Sequence, residues 1–361
     1  MSRPGGMVSG QATGTPAAGR TRYRRSPLCL LQWEGADLLA RNCDDPRLFR
    51  LDARYVDLLH RLSEWTTVEE LAAASGDDGA RLLRAADKLV EMGLVVADPP
   101  GGPEGTGTTW WDPIDLALQR RTSRGGYDPA RPRPDPPPPP FKPVPRTPAI
   151  PLDREGLADG FSLRAALDDR RTVRSYASGG LRLEEVGRFL YASGRVTRTS
   201  ADPVAGPLWH RPYPSGGARY ALELYPVCNA VDGLAPGAYF YDPCNHALHL
   251  VRARDDWQAE ISRHARRSTG DVANVDPPVV LVVTAVFQRT MWKYENIALS
   301  LILKDVGALY QTMYLVATAL GLAPCALGGW MEEENARWLG LDPLVESQVG
   351  GFLLGRPGDG S

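Results

Sequence analysis

Cysteine is scarce in this chain of 361 residues: Cys29, Cys43, Cys228, Cys244 and Cys325 are scattered, odd in number and form no C-x-x-C pair. That excludes a cysteine-based zinc site and predicts free thiols in a reducing cytosol, so a cytoplasmic location is expected. An excess of one charge is lacking as well. The formal net charge is −2 and the pI about 6.3, which gives no electrostatic case for binding nucleic acid or an anionic membrane. Long uncharged apolar runs are also missing. Residues 1–25 are small, polar and basic, without the apolar segment of a signal peptide or anchor, and are expected to be a disordered arm. The most apolar stretch, Ile297 to Leu322, is interrupted by Lys304, Asp305 and Gln311, and charges at mid-bilayer are costly. A helix so apolar on all sides is expected in a large core or a subunit interface instead. No internal repeat and no Gly-rich dinucleotide fingerprint occur.

What the chain does have is 43% hydrophobic and 23% charged residues, enough for a sizeable core divided between two domains. Between them, residues 99–151 carry "PPGGPEGTGTT" and "RPRPDPPPPPFKPVPRTP". Proline lacks the N–H that helix and sheet need, so this segment is expected to be a linker without either. Its later part is expected to be polyproline II, a stiff spacer of ~60 Å if straight at ~3.1 Å per residue. An SH3-type ligand is the alternative use of such prolines.

Residues 26–98 form a compact small domain in this reading. "LCLLQWEGADLLARN" predicts a hairpin around Glu34 and Gly35, and Tyr55, Leu58, Leu59 and Leu62 share one helical face. Thr67 with Glu70 makes a capping box for a second helix, and Ala80 to Met92 predicts a third, stopped at Gly93 before the strand "LVV". This order is winged-helix-like, a pattern whose usual partner is DNA. The charges oppose that use: between Ser26 and Ala97, eight Arg and Lys stand against thirteen Asp and Glu, a net of −5. A DNA-binding face must be basic, so a peptide- or partner-docking module is expected instead.

Residues 152–361 hold the patterns that carry chemistry. In "DDRRTVRSY", Arg170, Arg171, Thr172 and Arg174 concentrate donors suited to a phosphate or an anionic ring, although such clusters also occur as solvated faces. In "RPYPSGGARYALELY", Pro214, Ser215, Gly216 and Gly217 lead into an alternating strand, and the glycines permit close backbone approach to a flat ligand or simply a tight turn. Leu327, Gly328 and Gly329 in "CALGGW" precede a helix, where free backbone N–H groups suit an anionic or carbonyl-rich partner. Lys293 and Tyr294, in "QRTMWKYENIALS", sit where the buried strand "PPVVLVVTAVF" gives way to the long apolar helix. Strand ends are favoured places for sites, and a lysine beside a tyrosine is a proton-handling pair, although an exposed pair of this kind is often plain surface.

Taken in order, Arg-Arg-Thr-x-Arg, Pro-Ser-Gly-Gly, Lys-Tyr, the apolar helix and Ala-Leu-Gly-Gly resemble the FMN-dependent nitroreductase superfamily. "YPSGGARYALELYPV", "DGLAPGAYFYDPCNHALHLV" and "WKYEN" are similar to its SagB-type branch, the azoline dehydrogenases of ribosomal peptide natural products, over residues 161–357. The small acidic domain ahead of this region also matches that branch.

The resemblance implies an α+β, nitroreductase-like flavin-binding sandwich that forms an intertwined homodimer through the long helix. It implies that Arg170, Arg171, Thr172 and Arg174 take the FMN phosphate, ribityl chain and pyrimidine edge. Pro214, Ser215, Gly216 and Gly217 would flank the ring from the partner subunit, Leu327, Gly328 and Gly329 would lie near its N5, and Arg356 would add a phosphate contact. Many members continue Lys-Tyr-x-x-Arg, whereas Glu295, Asn296 and Ile297 follow here, so substrate contacts at that turn are not carried over. The implied activity is oxidation of a thiazoline or oxazoline to the azole, with hydride passing to flavin N5 and a proton to Tyr294, Lys293 assisting or acting first. The implied partners are a modified precursor peptide and cyclodehydratase proteins, and O2 would reoxidise the flavin. Two other classes fit the same chain: a nicotinamide-fed reductase of nitro or quinone compounds, and a winged-helix regulator carrying an inactive flavin fold. SagB-type oxidation of another C–C or C–N bond in a peptide is a further variant of the first activity.

Overall fold

A computed structural model describes residues 21–43, 45, 47–98, 112–124, 132–154, 156–157, 161–270, 276–329 and 332–358. The chain divides into two compact units, Met1–Tyr127 and Asp128–Ser361. The first unit runs β1 (Arg22–Arg25), β2 (Cys29–Glu34), β3 (Asp37–Asn42), β4 (Phe49–Arg50), α1 (Ala53–Arg61), β5 (Thr66–Thr67), α2 (Val68–Ser75), α3 (Gly79–Glu91), β6 (Val95–Asp98) and α4 (Pro113–Arg124).

Local chemistry sets these boundaries. Gly35, at φ +60°, turns the β2–β3 hairpin, in which Glu34 pairs with Asp37. The Thr67 hydroxyl accepts from the Glu70 N–H at 3.2 Å while the Glu70 carboxylate accepts from the Thr67 N–H at 2.8 Å, so the expected capping box opens α2. Gly93, at φ +70°, ends the α3 segment. Leu58, Leu59 and Leu62 pack with Leu71, Leu82 and Leu89 in the core of this unit.

Two expectations are corrected here. Of the expected arm 1–25, residues 1–20 lie outside the described residues, but Arg22–Arg25 is strand β1, paired with both β5 and β6. Tyr23, 5% exposed, ties it to the core. The expected linker is not free of helix. Its residues 99–111 and 125–131 lie outside the described ones, yet α4 forms between them: Asp112 accepts from the Ile114 N–H at 2.8 Å, and Pro113 occupies the first helical position, where no N–H is required.

The second unit runs β7 (Ala149–Pro151), α5 (Leu163–Asp169), β8 (Leu181–Arg182), α6 (Leu183–Gly194), β9 (Arg198–Asp202), β10 (Gly206–His210), β11 (Leu222–Cys228), β12 (Val231–Asp232), β13 (Gly237–Asp242), β14 (Ala247–Ala253), α7 (Asp256–Ser268), β15 (Val279–Val286), α8 (Phe287–Met291), α9 (Ala298–Ala319), β16 (Ala323–Leu327), α10 (Glu332–Trp338) and β17 (Glu346–Gly355). Its centre is a seven-stranded antiparallel sheet in the order β16-β17-β15-β11-β13-β14-β7. Alternate residues of β15 face opposite cores. Val279, Leu281 and Val283 pack with α6 and α9, whereas Val280 and Val282 pack with α7 and the end of α10. This is the expected α+β sandwich. The long helix buries one face only, through Ile302, Val306, Leu309 and Met313, and leaves Leu299 (38%) and Leu303 (47%) exposed.

The proline-rich segment is also corrected: it is no free spacer. Phe141 stacks on Trp209 at 4.8 Å, Thr147 donates to the Leu250 carbonyl at 2.9 Å, and β7 joins the sheet edge. Residues 132–147 therefore form a strap on the second unit. A polyproline segment has no internal hydrogen bonds, which leaves its carbonyls open to donors from elsewhere.

Candidate functional site

The Lys293–Tyr294 corner is built from β15 through the one-and-a-half-turn helix α8. The Lys293 and Tyr294 N–H groups both donate to the Thr290 carbonyl, at 3.1 and 3.0 Å, which closes the turn before α9 begins. Both side chains are half-buried, and the Lys293 ammonium lies 5.8 Å from the centroid of the Tyr294 ring. Against this turn stands the Pro214–Gly217 loop. A Cβ placed on Gly217 would meet the Tyr294 hydroxyl at 2.5 Å and the Lys293 Cδ at 3.2 Å, and Gly217 holds φ +62°. Only glycine satisfies both the close approach and the conformation.

The loop is anchored from α9. The Asp305 carboxylate accepts from the Ser215 hydroxyl at 2.6 Å and from the Gly216 N–H at 3.0 Å, while the Ser215 oxygen accepts from the Tyr220 N–H at 2.9 Å. Burial pushes the Asp305 carboxyl above its usual range, and the two donors pull against that rise. Ala218 and Tyr220 also adopt positive φ, 53° and 43°, so the loop is strained and held in place by its contacts. Pro214 is exposed at its entrance. The sequence marked Asp305 only as a charge that interrupts an apolar helix. A carboxylate buried on an otherwise apolar helix was the available signal for a partner elsewhere.

The other expected site residues gather farther along α9. The Arg170 guanidinium lies 5.4 Å over the Tyr314 ring, the Thr172 and Tyr314 hydroxyls are 2.9 Å apart, and the Tyr314 oxygen accepts from the Ala326 N–H at 2.9 Å. Tyr310 accepts from the Gly351 N–H at 2.6 Å and donates to the Leu327 carbonyl at 3.4 Å. Arg171, Thr172 and Arg174 line a cavity of about 390 Å³ with Val173, Ser175, Ser268 and Thr269. A Cβ on Gly328 or Gly329 would meet nothing within 4 Å, so their backbone faces open space. Arg356 is engaged otherwise: its guanidinium forks onto Glu185, with contacts of 2.7 and 3.3 Å. Within one chain the two groups of residues stay apart, since Asp305 and Tyr314 are nine residues apart on α9, ~13 Å at ~1.5 Å per residue.

A buried ion triad that the sequence did not single out lies beneath the loop. Glu223 accepts from Arg289 at 2.7 Å and from Arg211 at 3.1 Å, with all three side chains at most 3% exposed. Burial alone would raise the Glu223 carboxyl, but Arg289 and Arg211 outweigh it and hold the group below its usual range.

The nitroreductase family profile matches residues 167–356. MJ1384 of Methanocaldococcus jannaschii, named as a nitroreductase, is 31% identical over 193 residues, covering 53% of this chain and 91% of that protein. The microcin B17-processing protein McbC of Escherichia coli is 29% identical over 138 residues, 37% of this chain and 49% of McbC. A crystal structure from Anabaena variabilis, also named as a nitroreductase, superposes with a TM-score of 0.51 at 25% identity over 66% of this chain and 45% of that one. The chain thus spans about half the length of McbC and of the Anabaena protein.

Proposed function

Because the chain belongs to the nitroreductase family, we propose that it is an FMN-dependent dehydrogenase of the SagB-type branch, which oxidises thiazolines or oxazolines to azoles in a ribosomally made, modified precursor peptide. The observation that carries this is the packing of Tyr294 on Gly217, which sets the proton-handling pair against the loop assigned to flank the flavin. The peptide substrate is supported by the similarity to McbC, a protein named for microcin B17 processing. Cyclodehydratase proteins that install the heterocycle are the implied partners. The acidic, winged-helix-like first domain, net −5 between Ser26 and Ala97, is assigned to docking the peptide or such a partner.

The donor set fits FMN. Arg170, Arg171 and Arg174 with the Thr172 hydroxyl suit a phosphate and a carbonyl-bearing ring edge, and the open backbone at Gly328 and Gly329 suits a flat ring system. Arg356, held by Glu185, is not carried forward as a phosphate ligand. Bound FMN supplies the two-electron acceptor that takes one substrate hydrogen as hydride. The second hydrogen leaves as a proton, and Tyr294, with its hydroxyl at the loop, is the acceptor. Tyr294 takes that proton as phenolate, and Lys293, whose ammonium lies 5.8 Å from the ring centroid, either favours the phenolate by its charge or, when neutral, takes the proton itself. The flavin site is completed in this reading by a second copy of the chain, which brings its Pro214–Gly217 loop to the Arg170–Arg174 cluster.

The test is anaerobic mixing of the purified yellow protein with an azoline peptide or with NADPH. Bleaching of the flavin by the peptide, with formation of the azole, is expected. Bleaching by NADPH alone would replace this function with that of a nitro or quinone reductase.

A further inference from the structure

Between the loop and the strap lies a further buried cation, Arg219, whose contacts reach α8, the strap and Trp292 beside the Lys293–Tyr294 turn. It is 3% exposed and follows directly on the strained loop residues Gly217 and Ala218. Its Nε donates to the Arg289 carbonyl at 2.9 Å, near the C-terminal end of α8, where a helix leaves carbonyls unpaired and favours a cation. Its Nη2 reaches the Pro138 carbonyl in the strap at 3.4 Å, and its Cζ lies 5.1 Å over the ring of Trp292, the residue before Lys293.

The strap grips the same turn from outside. Trp292 donates its indole N–H to the Asp135 carbonyl at 2.7 Å, the Arg133 N–H donates to the Trp292 carbonyl at 2.9 Å, and Arg289 donates to the Pro139 carbonyl at 3.1 Å. Prolines suit such a grip, because they supply carbonyl acceptors and bring no N–H that burial would leave unsatisfied. A guanidinium suits the other side, since its planar fork holds several acceptors in fixed directions while its face stacks on an aromatic ring. Removing charge from water is costly, and burial does lower the pKa of Arg219, with the positive charge of Arg289 adding to that effect. The group is nevertheless kept, with one carbonyl from α8, one from the strap and an aromatic face.

We propose that Arg219 is a positioning residue for the Lys293–Tyr294 pair, locking the turn between the Pro214–Gly217 loop and the proline-rich strap. The kinetic part of this inference rests on the proposed dehydrogenase function, whereas its structural part does not. Arg219 acts on the turn through its hydrogen bonds to α8 and the strap and its contact with the Trp292 ring, and its charge also interacts with Tyr294.

The experiment compares the full-length flavoprotein with its Arg219→Gln, Arg219→Lys and Tyr294→Phe variants. Hydrogen exchange is followed across residues 288–297, and kcat and KM are measured on an azoline peptide. In Arg219→Gln, the Lys293 and Tyr294 amides are expected to exchange about tenfold faster or more, because the turn opens locally. Its kcat is expected to fall about 10- to 100-fold from misplacement alone, with KM and FMN content kept. Arg219→Lys is expected to recover part of both, since it keeps the charge and loses the fork. Unchanged exchange at the turn in Arg219→Gln overturns the inference. So does a normal kcat in Arg219→Gln when Tyr294→Phe is inactive. If Tyr294→Phe is itself fully active, the catalytic assignment fails instead, and the exchange data decide the positioning role by themselves.

Discussion

The Tyr294 hydroxyl and the Gly217 α-carbon are in such close contact that a single added methyl group would stand 2.5 Å from the phenolic oxygen. Gly217→Ala therefore adds two penalties, a clash with the tyrosine and a side chain at φ +62°. The loop is fixed below by Asp305, so Tyr294 is the part expected to move. Turnover is expected to drop about 100-fold, the scale of a misplacement of ~1 Å, with stability lowered by about 1–2 kcal/mol. Steady-state kinetics and a melting curve on the same preparation check both figures. Full activity in this variant would mean that the hydroxyl has no role at the loop.

Tyr294→Phe and Lys293→Ala are expected to keep the yellow cofactor and the assembly, since neither residue is assigned to FMN. Each is expected to cut kcat for azole formation by about 10²–10⁴-fold, the usual range for a positioned acid–base group. The double variant is expected to be little worse than the more damaging single one, because groups that act as a unit do not add. Near wild-type rates in both single variants would remove the pair from the chemistry. Loss of FMN in either would mark it as a cofactor contact.

The order of the motifs was legible because each is local. Pro-Ser-Gly-Gly and Lys-Tyr are short segments visible without knowledge of the fold, and the structure brings them into contact at Gly217 and Tyr294. What holds them together was not legible. Asp305 reaches Ser215 across 90 positions, and Arg219 reaches Arg289 across 70, distances over which periodicity says nothing. The prolines misled for a related reason. Their local rule, no N–H and no ladder, is correct, but it does not forbid the segment's carbonyls, at Asp135, Pro138 and Pro139, from accepting bonds from Trp292, Arg219 and Arg289. Likewise, nothing in "LLGRP" signals that Arg356 pairs with Glu185, which lies 171 positions earlier.

Glu223 is the only acid between two arginines in the triad, so Glu223→Gln leaves two buried guanidinium groups without their counter-charge. Loss of one partner of a buried ion pair costs about 3–5 kcal/mol, and that deficit is expected near neutral pH. The pH dependence follows from the depressed pKa of the folded state. The carboxylate contributes its full stability above the ordinary value of 4.5 and loses it as the pH falls through the lower folded value. The gap between wild type and variant is thus expected to narrow progressively below pH 4.5. Denaturant titrations at several pH values check it, and a constant gap would show that Glu223 stays uncharged in the fold.

Lys142 brings the strap's own charge inward. Its ammonium contacts Glu346 at 2.6 Å and the Tyr225 hydroxyl at 2.5 Å, and Glu346 also accepts from Thr284 at 2.7 Å. Lys142→Ala leaves a largely buried carboxylate with hydroxyl donors alone and is expected to destabilise the second unit by about 1–3 kcal/mol. Stability is expected to return in part in a Lys142→Ala, Glu346→Gln double variant, because the uncompensated charge is then gone. A strap that merely rests on the surface would show no change in either variant.

The assignment of two separate groups of residues to one flavin site makes assembly testable without reference to substrate. Asp305, with the Ser215–Gly216 loop, and Tyr314, with Arg170 and Thr172, lie ~13 Å apart on one helix, and the proposed function draws the two groups of one flavin site from two chains. The outer face of that helix carries Leu299 at 38% and Leu303 at 47% exposure, apolar surface suited to a second copy. Leu303→Glu changes only this exposed position, so the fold of a single chain is expected to be affected by less than about 0.5 kcal/mol. The variant is expected to shift from dimer to monomer in light scattering and to lose its bound FMN in the same concentration range, because a ligand held by two chains stabilises their association. Both changes are expected to reverse at higher protein concentration. A monomeric Leu303→Glu protein that still carries one FMN per chain would overturn the shared site, since a single chain would then hold the cofactor alone.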